Sequence, residues 1–414
     1  MTNWDLMPPS ESTLRDREVE LDGNHLQGKR VALLVTGSIA AIKAPLIARS
    51  LRRQGAEVVA FASEEALRYT TKESLEWSTT NQVVTKLTSA AEHLSDRSPF
   101  AAYLLAPATY NTINKLRHGI ADGVITSSLA SALGRMERGK TQVLIAPTMH
   151  GSLHNSLLSD SLKFLQKLGV KIIPPKVAYG KNNLPAEAAI TAEVIRAVST
   201  SKLKQSSFLV TAGSTPVPLD NLRILTNRFT GRLGGFIAEE LYYRGANLKL
   251  IKGQGSYNPP GYLPHRLIQT YEQYAQAVIE ELATNSYSGA IFSAAVADYQ
   301  PRQVFSGKIP SGKQLKLELV PTAKVIAKVR QQFPELKMIT FKYQEKVSHQ
   351  ELMAIAQTRL DQGYQMVVAN RGEETGEQGE QVAYLVTKES EPERAIGKRV
   401  IARAIADWLE TTII

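Results

Sequence analysis

The sequence predicts an α/β protein made of two tandem three-layer α/β domains with mostly parallel sheets. Three observations carry this. Short runs such as Val31-Ala32-Leu33-Leu34 are apolar at successive positions, which suits strands covered on both faces. Such runs lead through a glycine turn into segments with apolar residues at helical spacing, the order of a β-turn-α-β unit. The same order then restarts near residue 207, after a short polar stretch. Length agrees, since 414 residues at ~150 per domain predict two to three domains with real cores.

In chain order, residues 1–28 read as a polar, solvated tail. The first strand lies within 29–41 and ends in Thr36-Gly37-Ser38. A helix follows in IKAPLIARSLRRQG, closed by Gly55, and EVVAFAS is the second strand. AAYLLAPAT and TQVLIAPT are further strands, and VKIIPP is a short one. NTINKLRHGIADG opens one helix, LSDSLKFLQKLG forms another and AEAAITAEVIRAVST closes the unit. TSKLKQSS is a polar linker. The second unit opens with SFLVTAGST and the helix GRLGGFIAEELYYRG, ended by glycine. NLKLIKG, SGAIFSAAVADY, ELKMITFKY and QMVVAN are its further strands, with helices at 271–285, 350–362 and 395–411. The domain limits expected are 1–28 for the tail, 29–200 and 206–414.

Composition excludes several classes. Cysteine is absent, so disulfides, cysteine-bound zinc or iron–sulfur sites and protein-thiol catalysis are ruled out. No run of 18 uncharged apolar residues predicts a membrane span, and the polar start does not read as a signal peptide. A cytoplasmic protein with no membrane partner is expected. Net charge is +10, but the basic residues are spread along the chain, so no nucleic-acid partner is expected and small anions are the better fit.

Thr36-Gly37-Ser38 and Thr211-Ala212-Gly213-Ser214 each sit where a first strand meets a first helix. Amides at such a helix start carry partial positive charge, and glycine admits a phosphate to the backbone. Any α/β turn also needs a glycine there. Neither string matches G-x-G-x-x-G or the P-loop pattern, so a standard dinucleotide site is disfavoured.

Longer strings carry a resemblance. TGSIAAIKA (36–44), PATYNTINKLRHGIAD (107–122) and APTMH (146–150) are similar to the flavin-containing cysteine decarboxylase family. TAGSTPVPLDNLRILTNRFTGRLG (211–234), AAVADYQP (294–301) and GKIPSGK resemble phosphopantothenate–cysteine ligases. The domain order is that of the bifunctional enzymes of coenzyme A biosynthesis. The resemblance implies a flavoprotein-like fold followed by a Rossmann-like ligase domain. It also implies small-molecule substrates (4′-phosphopantothenate, cysteine and a nucleotide) and a homo-oligomer.

For the first domain the resemblance implies FMN, held at Gly37, Ser38, Ser63, Pro107, Ala108, Thr109, Asn111, Ser127 and Ser128, with the neighbouring Thr126 in the same segment. It implies oxidation of the substrate's own thiol by the flavin, loss of carbon dioxide from the thioaldehyde, and a catalytic histidine matching His93. The family then uses a flap cysteine as proton donor. Tyr179 stands at that place, and an ordinary phenol is a weaker acid than a thiol. The family's carboxylate-binding asparagine is His150, and its motif's final methionine is Leu153. These departures put the reductive decarboxylation in doubt.

For the second domain the resemblance implies activation of a carboxylate by CTP, or ATP, with Mg2+ at unknown ligands. An acyl-nucleotidylate and pyrophosphate result, and the cysteine amine attacks. Asn227 and Lys308 match catalytic positions, and Gly213, Ser214, Arg223, Ala294, Asp298 and Phe341 match nucleotide or substrate positions. Pro310-Ser311 replaces a basic pair near Lys313, Lys324 stands where the family has an acid, and Arg359 is the only basic residue near on the helix after Phe341. Two other readings compete: a non-catalytic flavin-binding scaffold of the same family, and a nicotinamide-dependent reductase, which lacks its Y-x-x-x-K motif.

Overall fold

A computed structural model describes residues 6–8, 10–94, 98–255, 257–312 and 314–412. Two compact units divide the chain, Met1–Ser199 and Thr200–Ile414.

The first unit runs β1 (Arg30–Val35), α1 (Ala44–Arg52), β2 (Glu57–Ala62), α2 (Lys72–Thr79), β3 (Ala102–Ala108), α3 (Tyr110–Arg117), α4 (Val124–Glu137), β4 (Gln142–Pro147), β5 (Met149–His150), α5 (Ser156–Lys167), β6 (Lys171–Ile172), β7 (Lys176–Ala178), β8 (Lys181–Asn183) and α6 (Glu187–Val198). Its main sheet is parallel, ordered β2-β1-β3-β4-β6. β3 is buried along its whole length, as its unbroken apolar run requires. Phe61, Phe100, Tyr103, Leu105, Ile113 and Leu129 centre one core cluster.

Two features differ from the sequence reading. Residues from about 15 onward are not a free tail. Leu26 is fully buried, its amide bonds the Gln54 carbonyl at 2.8 Å, and Arg17 reaches the Glu76 carbonyl at 2.6 Å. The second is an antiparallel trio, β5-β8-β7, in the stretch between VKIIPP and α6.

The second unit runs β9 (Ser207–Ala212), β10 (Ser214–Thr215), β11 (Val217–Pro218), β12 (Ile224–Leu225), α7 (Arg232–Tyr243), β13 (Asn247–Lys252), β14 (His265–Leu267), α8 (Tyr271–Thr284), β15 (Gly289–Phe292), β16 (Ala295–Val296), β17 (Tyr299–Pro301), β18 (Leu319–Pro321), α9 (Val325–Gln332), β19 (Met338–Gln344), α10 (His349–Asp361), β20 (Met366–Arg371), β21 (Val382–Val386), β22 (Glu393–Ile396) and α11 (Lys398–Thr412). The sheet order is β14-β13-β9-β15-β19-β20-β21-β22. It is parallel as far as β20, and β21 and β22 close it as antiparallel strands. α7 and α11 pack together over one face, locked by Arg244, which bonds Glu240, Asp407 and Glu410 at 2.9, 2.6 and 2.9 Å. Among the described residues no helix is long and apolar enough to cross a membrane.

Candidate functional site

In an open parallel sheet the ligand crevice forms at the carboxyl ends of the strands, where the strand order reverses. In the first unit the reversal lies between β1 and β3. A cavity of about 1250 Å³ opens there. Its walls are the segments that follow four successive strands: Thr36-Gly37-Ser38 after β1, Ser63 to Glu65 after β2, Thr109 to Thr112 after β3, and Thr148 to His150 after β4.

Helix starts converge on it. The Ser38 hydroxyl accepts from the Ala40 amide at 3.3 Å, and Thr109 caps α3. The α4 cap is Gly123, which has no side chain to cover the first-turn amides. Asn111, Lys115, Asp122, Thr126 and Ser127 line the same wall. The Lys115 ammonium, 2.5 Å from Asp122, holds that carboxyl below its ordinary range, helped by the Thr126 hydroxyl. Gly37 has a steric reason of its own, because a Cβ there would stand 2.4 Å from Cβ of Glu65. Hydroxyls, several helix starts and one open cavity fit a ligand with an anionic group.

Gly37, Ser38, Ser63, Thr109, Asn111, Ser127 and His150 thus come together. Others expected with them do not. Ser128 is corrected from a ligand to a core residue: it is fully buried and its hydroxyl donates to the Val124 carbonyl at 2.6 Å, one turn back on α4. Pro107 and Ala108 lie buried inside β3, where Pro107 supplies a carbonyl to the Thr36 hydroxyl at 2.7 Å. His93 is on a turn and is not among the cavity-lining residues, and its Nδ1 is buried with no hydrogen-bond partner among the described residues.

Tyr179 is 96 % exposed at the tip of the β7–β8 hairpin. Tyr179 and Gly180 both have positive φ, 53° and 64°, the requirement of a two-residue type I′ turn. The hairpin is tied to the cavity rim, because His150 pairs with Lys181 across β5–β8 and Asn182 contacts His154 Nδ1 at 2.7 Å.

In the second unit the order reverses between β9 and β15. Gly213 has φ of 79°, and a Cβ there would lie 2.8 Å from the Gln254 carbonyl oxygen and 2.9 Å from that of Gly253. Gly231, the α7 cap, packs on Gly213 so that its own Cβ would reach Gly213 Cα at 2.8 Å. This turn is therefore filled by protein, whereas the first domain's turn opens on a cavity. Ser214 is corrected accordingly: it is buried, and its hydroxyl donates to the Gln254 carbonyl at 3.1 Å.

Asn227 crosses the crevice. Its Nδ2 donates to the Ala295 and Val296 carbonyls at 3.0 and 3.3 Å, which leaves Oδ1 as the acceptor for a ligand. The Ala294 amide bonds Thr211 Oγ1 at 3.3 Å, and the Ala297 amide bonds Thr215 Oγ1 at 3.0 Å, so the AAVAD loop is stitched to β9 and β10. Asp298 pairs with Lys324 on the surface. Exposed pairs of this kind are worth at most about 1 kcal/mol, so the pair holds Asp298 only weakly. Phe341 is half-buried in β19, and Arg359 donates to its carbonyl at 3.0 Å.

Lys308 is exposed on the loop after β17, and Lys313 lies outside the described residues. Arg223 is engaged within the fold: Nη1 is 2.6 Å from Asp220 and 3.1 Å from the Ile309 carbonyl.

Three residues here escaped sequence reasoning. Phe229 and Tyr343, 51 % and 39 % exposed, meet edge to face at 5.6 Å beside the Asn227 loop. Asp220 is buried inside the LDNLR string. Its spacing of three from Arg223 was the available signal. Among the described residues no group of three or more His, Asp or Glu could hold a metal.

Comparison with known proteins adds the family. Residues 20–200 match the Flavoprotein family model, and residues 203–413 match that of the DNA/pantothenate metabolism flavoprotein C-terminal domain. The coenzyme A biosynthesis bifunctional protein CoaBC of Thermococcus kodakarensis is 33% identical over 392 residues, covering 93% of this chain and 96% of that protein. The protein of the same name from Methanocaldococcus jannaschii is 29% identical over 347 residues, covering 83% and 84%. The solved DNA/pantothenate metabolism flavoprotein from Streptococcus pneumoniae is 25% identical with a TM-score of 0.45, covering 50% of this chain and 99% of its own. With a bifunctional relative aligned along nearly its whole length, the chain belongs to the coenzyme A biosynthesis bifunctional protein family, a flavoprotein domain followed by a pantothenate-metabolism C-terminal domain.

Proposed function

We propose that the second domain joins 4′-phosphopantothenate to cysteine, and that the first holds FMN and acts on the product. The observation that carries the ligase reading is Asn227 bridged onto the Ala295 and Val296 carbonyls at the sheet's reversal point. The carboxylate attacks the α-phosphorus of CTP, or ATP, with Mg2+ brought by the nucleotide. Pyrophosphate leaves and an acyl-nucleotidylate forms. The cysteine amine then displaces the nucleoside monophosphate to give the amide. Lys308 balances charge on the phosphates as it builds, and Asn227 holds the acyl group beside the amine. Phe341 would take the nucleotide base.

In the first domain Ser38, Thr109, Asn111 and the α4 start would hold FMN. Bound flavin supplies the oxidation of the substrate thiol that makes loss of carbon dioxide easy. His150 lines the cavity and would receive the substrate carboxylate. Proton delivery is the weak step, because the hairpin tip carries Tyr179 and the chain has no cysteine. Ile39, Ile42 and Leu46 stand exposed after β1 and support a homo-oligomer. The reaction belongs in the cytoplasm.

Purified protein given 4′-phosphopantothenate, cysteine, Mg2+ and CTP or ATP is expected to release pyrophosphate, and Lys308→Ala to slow that release to a small residual rate. No pyrophosphate with either nucleotide refutes the ligase reading. A yellow protein with a flavin spectrum, and faster reduced-product formation in Tyr179→Cys, are expected of the first domain. Colourless protein after growth with riboflavin refutes the FMN assignment.

A further inference from the structure

The loop that carries Lys308 has no regular secondary structure, and Lys308 itself is exposed. An exposed lysine on such a loop would ordinarily sample many positions. Here its neighbours on both sides are pinned to one segment, residues 219–223. The Phe305 amide bonds the Leu219 carbonyl at 3.0 Å, and the Asn221 amide bonds the Gly307 carbonyl at 3.1 Å. The Ile309 amide bonds Asp220 Oδ2 at 2.9 Å, and the Ile309 carbonyl accepts from Arg223.

Asp220 is the centre of this arrangement. Its two oxygens divide the work. Oδ1 accepts from the Leu222 and Arg223 amides at 2.8 and 2.6 Å and so shapes its own turn. Oδ2 accepts from the Arg223 guanidinium at 2.6 Å and from Ile309 at 2.9 Å, and so reaches the other loop. The carboxylate is removed from solvent and meets only donors. A group with four such partners is strongly held in its charged form.

We infer that Asp220 is a positioning residue for Lys308: through Oδ2 and the Arg223 guanidinium it fixes the backbone on either side of Lys308 so that the ammonium meets the nucleotide phosphates as pyrophosphate leaves. This rests on the ligase reading above. Asp220 touches neither substrate nor nucleotide in the scheme. Its effect is on where the lysine is when charge develops, and a displacement of about 1 Å at such a group costs on the order of 100-fold in rate.

Asp220→Asn separates the two roles. The amide oxygen still accepts from the turn amides, while Nδ2 places a donor opposite the Ile309 amide and Arg223, so the tether is lost and the local turn is kept. Full-length protein is compared as wild type, Asp220→Asn, Lys308→Ala and the double variant. The readouts are kcat and KM for pyrophosphate release with CTP and with ATP, and hydrogen exchange at the Ile309 amide.

We expect Asp220→Asn to lower kcat about 100-fold with nucleotide KM changed less than about threefold. The double variant is expected to be no slower than Lys308→Ala, and Ile309 to exchange faster in Asp220→Asn. Unchanged kcat in Asp220→Asn, or losses that multiply in the double variant, overturns the inference and leaves the ligase reading standing. Lys308→Ala with wild-type kcat removes Lys308 from the chemistry and overturns the inference with it. Wild-type protein that releases no pyrophosphate overturns both.

Discussion

Gly213→Ala tests whether the second domain's first turn is closed by backbone. The new methyl meets two costs. At φ of 79° an alanine is in the left-handed region, which costs roughly 1–2 kcal/mol. Its Cβ would also stand 2.8 Å from the Gln254 oxygen and 2.9 Å from the Gly253 oxygen. Neither carbonyl can easily retreat. The Ser214 amide holds the Gln254 carbonyl at 2.9 Å, and the Gly253 amide is fastened to the Ala212 carbonyl at 2.8 Å. Overpacking against fixed atoms costs about 1–3 kcal/mol more. The sum, about 2–5 kcal/mol, is a large part of the ~5–15 kcal/mol that holds a domain. For a domain of this size it corresponds to a Tm lower by about 4–20 °C. Gly397→Ala is the control: φ is 91° but nothing lies within 4 Å of its Cβ, so only the backbone cost applies. Differential scanning calorimetry of the full chain is the assay. Equal shifts for the two variants would show that no collision exists and that the turn is open to a ligand.

Three further outcomes follow from other contacts. Arg244→Ala removes the guanidinium that Glu240, Asp407 and Glu410 share between α7 and α11, and loss of hydrogen bonds to charged groups at a mostly buried site costs about 1.5–3 kcal/mol. The urea midpoint reads it, and a change under about 1 kcal/mol refutes the hub. The Ile309 amide, with the Leu222 and Arg223 groups, holds the Asp220 carboxyl far below the usual carboxylate range. Since it is the folded form that has the lower pKa, this stabilisation is complete above about pH 5 and drains as acid titrates toward the folded value. Denaturation midpoints from pH 6 down to about pH 3 should fall less steeply in Asp220→Asn than in wild type, and parallel curves refute the assignment. Ser128→Ala should leave bound flavin per chain unchanged, while Ser127→Ala, on the cavity wall, should lower it. Absorbance at the flavin band decides, and equal losses would return Ser128 to the site.

Strands that are apolar at successive positions were legible in the sequence, because burial on both faces leaves no other composition open to them. β1, β3 and β9 are of this kind. α2 was not legible: Leu75 and Trp77 are its only large apolar residues, so no stripe of period 3.6 appears. The β7–β8 hairpin was missed for a different reason. Its turn is Tyr-Gly, not Asn-Gly or Asp-Gly, and its strands are three residues each. Within the site, residues at strand ends were found where a motif marked them. Ser128 was misplaced because the turn of α4 carries it into the core, where its hydroxyl closes on the Val124 carbonyl, while Thr126 and Ser127 stay on the cavity wall. Nothing in a string of letters separates them.

The two glycine turns carry the sharpest instance of that limit. Thr36-Gly37-Ser38 and Thr211-Ala212-Gly213-Ser214 end equivalent strands, and each supports a phosphate-binding reading. Their surroundings then diverge. After β1 the chain enters a short helical turn capped by Ser38, and the space beside it stays open. After β9 it continues as β10, which pairs with β16, and loops from Gly231 and Gly253 close over Gly213. The first glycine keeps room for Glu65, the second for the backbone at Gly253 and Gln254. On the ligase reading, the second domain's ligand binds outside that turn, along Asn227, the AAVAD carbonyls and the Lys308 loop. The residues so proposed then come from long connecting segments, and the one that carries Lys308 is tied by Asp220 and Arg223 to the Ile309 backbone.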